Sequence, residues 1–141
     1  MDIQVNYLAV LIAGVASMAV GFGWYSKALF GNQWAALKGY TDESLKAKQK
    51  DMGKFYAISF VLSLLMAYML SHVAILSDAF FGNGLFSAAL SSAFFLWLGF
   101  VLPVQATASI FGDKKWKLLG IDTGYQLASL VVMAIIIGWL N

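Results

Sequence analysis

Residues 55–76 read FYAISFVLSLLMAYMLSHVAIL, a run without one charged side chain. A helix rises roughly 1.5 Å per residue, so about 20 apolar residues cross the hydrocarbon of a bilayer, and this stretch predicts a membrane-spanning helix. Residues 6–25, 85–110 and 116–140 qualify on the same ground. The composition agrees, because a chain of 141 residues that is 61% hydrophobic and 11% charged, with a mean hydropathy of +0.78, is too apolar for an ordinary soluble domain. The expected fold is all-α: a four-transmembrane-helix bundle forming one membrane domain over residues 1–141.

The charges orient it. All nine basic residues are lysines. Lys27, Lys38, Lys46, Lys48, Lys50 and Lys54 lie in or beside the gap between the first two spans, and Lys114, Lys115 and Lys117 at the gap between the last two. Short cytoplasmic loops retain an excess of Lys and Arg, so these gaps are expected inside and both termini outside. The first run has Asp2 and no basic residue ahead of it, which favours a retained anchor over a secretory signal.

The net charge of +2 is accounted for by this topology, and no arginine is present to read bases or clamp phosphate, so a nucleic-acid partner is not expected. The absence of cysteine removes thiolate metal sites and thiol chemistry. His72 stands alone near the outer end of the second span and lacks the partners a metal or haem ligand needs. No metal-ligand spacing, nucleophile set or phosphate loop appears, so neither an enzyme nor a bound cofactor is expected.

The cytoplasmic segment 26–54 divides in two. Phe30 to Leu37 mixes aromatic and apolar residues suited to the membrane interface. Thr41 then caps a helix whose early acids, Asp42 and Glu43, suit its positive end, and which is placed to run into the second span. Its Lys46, Lys48, Lys50 and Lys54 form a solvated face within reach of anionic lipid headgroups, each worth about 1 kcal/mol near the surface. Phe30-Gly31-Asn32-Gln33-Trp34 after the first span echoes Phe111-Gly112-Asp113-Lys114-Lys115-Trp116 after the third, a hint of two parallel-repeat hairpins.

Asn6-Tyr7-Leu8-Ala9-Val10, Gly23-Trp24-Tyr25-Ser26 with Phe30-Gly31, Met66-Ala67-Tyr68, Trp97-Leu98-Gly99-Phe100, and Trp116-Lys117-Leu118 leading into Gly124-Tyr125 together resemble a family of small, mostly bacterial four-span membrane proteins catalogued as a domain of unknown function. The resemblance covers nearly the whole chain. It implies an integral protein of the bacterial cytoplasmic membrane and supplies no activity or catalytic residue. At Asp122 the chain departs from it, since the resemblance implies an amide there.

Two functional readings follow from the residues. Small side chains spaced i,i+4 let helices approach closely in lipid, and each span has such a row: Ala9, Ala13, Ser17 and Gly21; Ser59, Ser63, Ala67 and Ser71; Ser87, Ser91 and Gly99; Gly120, Gly124 and Ala128. Span four carries Asp122, Gln126, Ser129 and Met133 opposite its glycine face, so both faces have reason to avoid lipid. The leading expectation is therefore a non-enzymatic protein that works by assembly, as a homo-oligomer or an accessory subunit. The alternative is a small transporter or channel for an ion or small molecule. Its polar site would be Asp122, roughly 9 Å inside the bilayer end, and Gln105 at similar depth. Tyr25, Tyr56, Ser59, Thr107 and Gln126 join this cluster, and Pro103 frees the Gly99 carbonyl beside it.

Overall fold

The computed structural model describes residues 3–112 and 115–141. The readings that involve Asp2, Asp113 and Lys114 lie outside the described residues. Among the described residues seven α-helices occur in order: α1 Tyr7–Trp24, α2 Gly31–Lys38, α3 Asp42–Lys48, α4 Met52–Phe81, α5 Leu85–Leu96, α6 Leu102–Phe111 and α7 Trp116–Leu140. No strand occurs among the described residues. Four helical segments are long and apolar enough to cross a membrane: α1, the α3–α4 run, the α5–α6 run and α7. They pack in a ring, α1 beside α4, α4 beside α5, α5 beside α7 and α7 beside α1. The hairpins α1/α4 and α5–α6/α7 thus lie side by side, with α1 diagonal to α5 and α4 to α7, although Phe30 precedes α2 whereas Phe111 ends α6.

The second span is longer than its apolar run. Thr41 caps α3 through a reciprocal bond with Ser44, and a 3₁₀ turn at Gln49–Asp51 feeds α3 directly into α4, so the wet helix and the membrane helix are nearly continuous. At the other end of the bundle, Asn6 caps α1 and its amide donates to the Leu140 carbonyl at 2.8 Å, tying the start of α1 to the end of α7.

Small residues dominate the core. Ala13, Ala67, Ala74, Ala89, Ala93 and Ala134 surround Leu70, Met133 and Ile137, all buried. Side chains this short let helix backbones approach, which is how helices gain packing energy where lipid competes for every apolar surface. Large apolar groups point outward instead: Phe95 is 66% exposed, Phe100 68% and Val104 67%. An apolar belt of this extent fits a lipid surround.

The rows of small residues divide on inspection. Ala9, Ala13 and Ser17 on α1 are buried, as are Ser63, Ala67 and Ser71 on α4. On α5 the packed face is Ala88, Ala89, Ser92 and Ala93; Ser87 and Gly99 of the expected row are exposed. On α7, both faces of which are expected to avoid lipid, Gly120 faces open space while Ser129 and Met133 are fully buried. The cause is rotation: α7 turns its serine and methionine inward, where the Ser17 and Ser129 hydroxyls pair at 2.5 Å.

Span three breaks its helical ladder. Pro103 has no N–H for the Gly99 carbonyl, and the chain widens into a π-turn over Trp97–Val101 in which the Leu102 N–H reaches the Trp97 carbonyl. Beyond it, α6 buries none of its residues. The bundle is therefore closed at the end holding the chain termini and open at the lysine-rich end.

Candidate functional site

Asp122 occupies the second turn of α7, and tryptophans from two sides hold that turn. The Trp24 indole N–H donates to the Ile121 carbonyl at 3.0 Å, and the Trp97 indole N–H donates to the Thr123 carbonyl at 2.8 Å. Gly124 gives Trp24 room, since a Cβ there would stand 3.0 Å from the indole ring. Trp24 is thus an internal clamp, and Trp97 is its counterpart from the π-turn. Trp97→Phe is expected to lower stability by about 1 kcal/mol through loss of that bond, measured as a fall in detergent-solution melting temperature. An unchanged melting temperature would remove Trp97 from this role.

The Tyr25 hydroxyl donates to the Asp122 carboxylate at 2.7 Å. Tyr25 is placed by a tight return at the end of α1: the Phe30 N–H reaches the Trp24 carbonyl at 3.0 Å, and the Gly31 N–H reaches the Ser26 carbonyl at 2.9 Å. A Cβ on Gly31 would collide with the Tyr25 and Ser26 carbonyls, so this turn requires glycine. Among the described residues Asp122 is bonded by Tyr25 and by no lysine. Lys115, a candidate partner, instead donates to the Leu37 carbonyl and joins α2 to α7.

Asp122 stands between two cavities. The first, of about 500 Å³, opens beside α6 and α7 and is lined by Gln105, Asp122, Gln126, Tyr25, Tyr125 and Lys115 among others. The Gln105 Oε1 is buried there without a partner. The Asp122 carboxylate lines this space, where the described residues give it one bond, from the Tyr25 hydroxyl. A carboxylate held within an apolar span is costly, so the chamber suits a guest that brings positive charge to it.

The second cavity, of about 1160 Å³, lies between the end of α1, the α2–α3 segment and the start of α4. It shares Tyr25, Asp122 and Tyr125 with the first. Its wall is a chain of edge-on rings, Tyr125 to Tyr25 at 5.3 Å, Tyr25 to Trp34 at 5.6 Å and Trp34 to Tyr40 at 5.5 Å. Lys38 places its ammonium 5.4 Å from the Trp34 ring, and Lys48 places its own 3.7 Å from Tyr40. Interaction with Lys48 holds the Tyr40 phenol below its ordinary pKa.

The sequence-based cluster is therefore split. Gln105, Gln126 and Asp122 share the first cavity; Tyr56 and Ser59 line the second. Tyr56 packs edge-on against Phe22 at 5.1 Å. Pro103 and Thr107 are exposed and line neither cavity, because the π-turn swings that face of α6 outward; Pro103 acts on the site only through the turn it imposes. Lys46, Lys48, Lys50 and Lys54 are exposed on α3 and its continuation. His72 bonds the Tyr68 carbonyl at 3.1 Å. Among the described residues no three His, Cys, Asp or Glu side chains converge as a metal site.

A bundle of four apolar helices, closed at one end and opening at the other around a carboxylate, defines a small polytopic membrane protein. The chain belongs to the family described as "Protein of unknown function (DUF1761)", which it matches over residues 8–138. It matches no curated protein and no solved structure.

Proposed function

We propose that this protein is a small, non-enzymatic membrane carrier whose working group is the Asp122 carboxylate, and that it moves a proton or a small cation. The observation that carries this reading is the position of Asp122: within a span, in the wall shared by two cavities, bonded by a neutral tyrosine. Ionisable groups inside a membrane domain are costly to keep and tend to mark ion and proton pathways. The closed half is filled by the buried Leu70, Met133 and Ile137, which suits access from one side at a time. The lysine distribution supports a cytoplasmic opening with the termini outside, and the family resemblance points to a bacterial cytoplasmic membrane. The test is proton flux into vesicles containing the purified protein, followed with an entrapped pH-sensitive dye, for wild type and Asp122→Asn. Equal flux in the two would sink the proposal.

A second reading, assembly with another copy or subunit, is favoured by one observation. Gly99 and Gly120 are exposed with nothing within 4 Å of a would-be Cβ, small surfaces not used inside the bundle. Gly120→Leu is then expected to dissociate a complex seen by native mass spectrometry while leaving the monomer folded. A monomeric wild type, or an unaltered complex in the variant, would count against it.

A further inference from the structure

Besides Asp122, the second cavity carries charges that the proposed carrier does not use. Its lining includes two ammonium groups, Lys27 and Lys38, and two carboxylates, Asp42 and Asp122, so its formal charge is zero. A bare cation would meet the lysines and a bare anion the acids. A guest carrying both charges meets both sets. The aromatic rings add a preference for one of them, since ring faces attract ammonium groups, and Lys38 and Lys48 already lie against Trp34 and Tyr40 in this manner. The cleft also runs onto the apolar, half-exposed sides of α1 and α4, with Phe22 54% and Phe55 49% exposed.

We propose that this cavity binds a zwitterionic phospholipid by its headgroup. The phosphate sits between Lys27 and Lys38. Drawing Lys38 off Trp34 frees that ring for the lipid's own ammonium, which the neighbouring carboxylates complement. The acyl chains leave along Phe22 and Phe55 into the bilayer. Charge-assisted bonds to the phosphate hold either kind of headgroup, and the ammonium–ring contact favours one that has both groups over one that has only the anion. The site shares Asp122 with the proposed carrier, but its phosphate and ring contacts, Lys27, Lys38 and Trp34, line this cavity and not the first, so lipid binding is tested apart from flux.

The test is native mass spectrometry of the purified full chain with an equimolar mixture of phosphatidylethanolamine and phosphatidylglycerol bearing identical acyl chains. One phosphatidylethanolamine is expected to be retained in preference. The Lys27→Gln/Lys38→Gln pair and Trp34→Leu are each expected to lower the bound fraction about tenfold. Lys27 and Lys38 are exposed, so the pair is not expected to disturb folding, which thermal unfolding checks. Equal retention of phosphatidylglycerol would reveal a plain basic surface and overturn the proposal, as would undiminished binding in the variants. Displacement of the lipid by excess phosphoethanolamine would overturn the membrane source and reassign the cavity to a soluble zwitterion.

Discussion

Asp122→Asn is expected to reduce the initial rate of proton uptake into reconstituted vesicles by about tenfold or more, a loss of at least ~1.4 kcal/mol in the rate-limiting barrier. The substitution keeps the shape of the side chain and an oxygen that can accept from Tyr25, so the local structure has reason to survive. What it removes is the charge. A carboxylate that can gain and lose a proton is what the proposed chemistry needs, and among the described residues no second carboxylate lines the first cavity to replace it. Tyr25→Phe is the graded comparison: it keeps the ring between Tyr125 and Trp34 but deletes the donor, leaving the carboxylate less well positioned. Its expected effect is smaller, about threefold. A melting temperature within a few degrees of wild type for both variants ties the loss to the site. Wild-type flux in Asp122→Asn would remove Asp122 from any transport role.

Gly138→Leu is expected to give the largest loss of stability. A Cβ at this position would stand 2.7 Å from the backbone Cα of Phe86 and 3.1 Å from its Cβ, so α5 and α7 meet here backbone to backbone. Only a helix displacement makes room for a side chain, whereas at Gly14 the nearest atom is the mobile tip of Leu64. Overpacking of this kind costs about 1–3 kcal/mol, and a leucine placed against main chain belongs at the upper end. The contact lies in the closed half, near Ile137 and the Asn6 to Leu140 bond, so its loss opens the end that the carrier reading requires to be shut. Thermal unfolding in mild detergent measures the effect, with Gly120→Leu as the comparison in open space. Equal melting temperatures for the two variants would show that the approach at Gly138 does not hold the helices.

The site was partly legible in the chain. Asp122 stands out in sequence because an acid inside an apolar run is expensive, and Gln105 because the hairpin between them sets both at one depth. Pro103 signalled a broken ladder, but not that a π-turn would absorb the break and carry Thr107 and Pro103 itself outward. The clamps had no sequence signal. Trp24 reads as a belt tryptophan by position, and only the approach of α1 to α7 turns its N–H onto the Ile121 carbonyl. Tyr25 and Asp122 lie 97 positions apart, and no local pattern pairs them.

The sequence by itself determined that the chain forms four apolar helices of bilayer length, that a polar helix joins the first two, and which ends of the bundle carry the lysines. These follow from run length, capping and charge placement, all of which act over a few neighbouring residues. Tertiary structure alone decided which small-residue face each helix buries, that Gly120 stays open while Ser129 and Met133 turn inward, and that Asp122 separates two cavities. Each span offers several faces of similar smallness, and in lipid no hydrophobic penalty selects among them. The choice rests on the simultaneous fit of all four helices, a property that no single stretch of sequence contains.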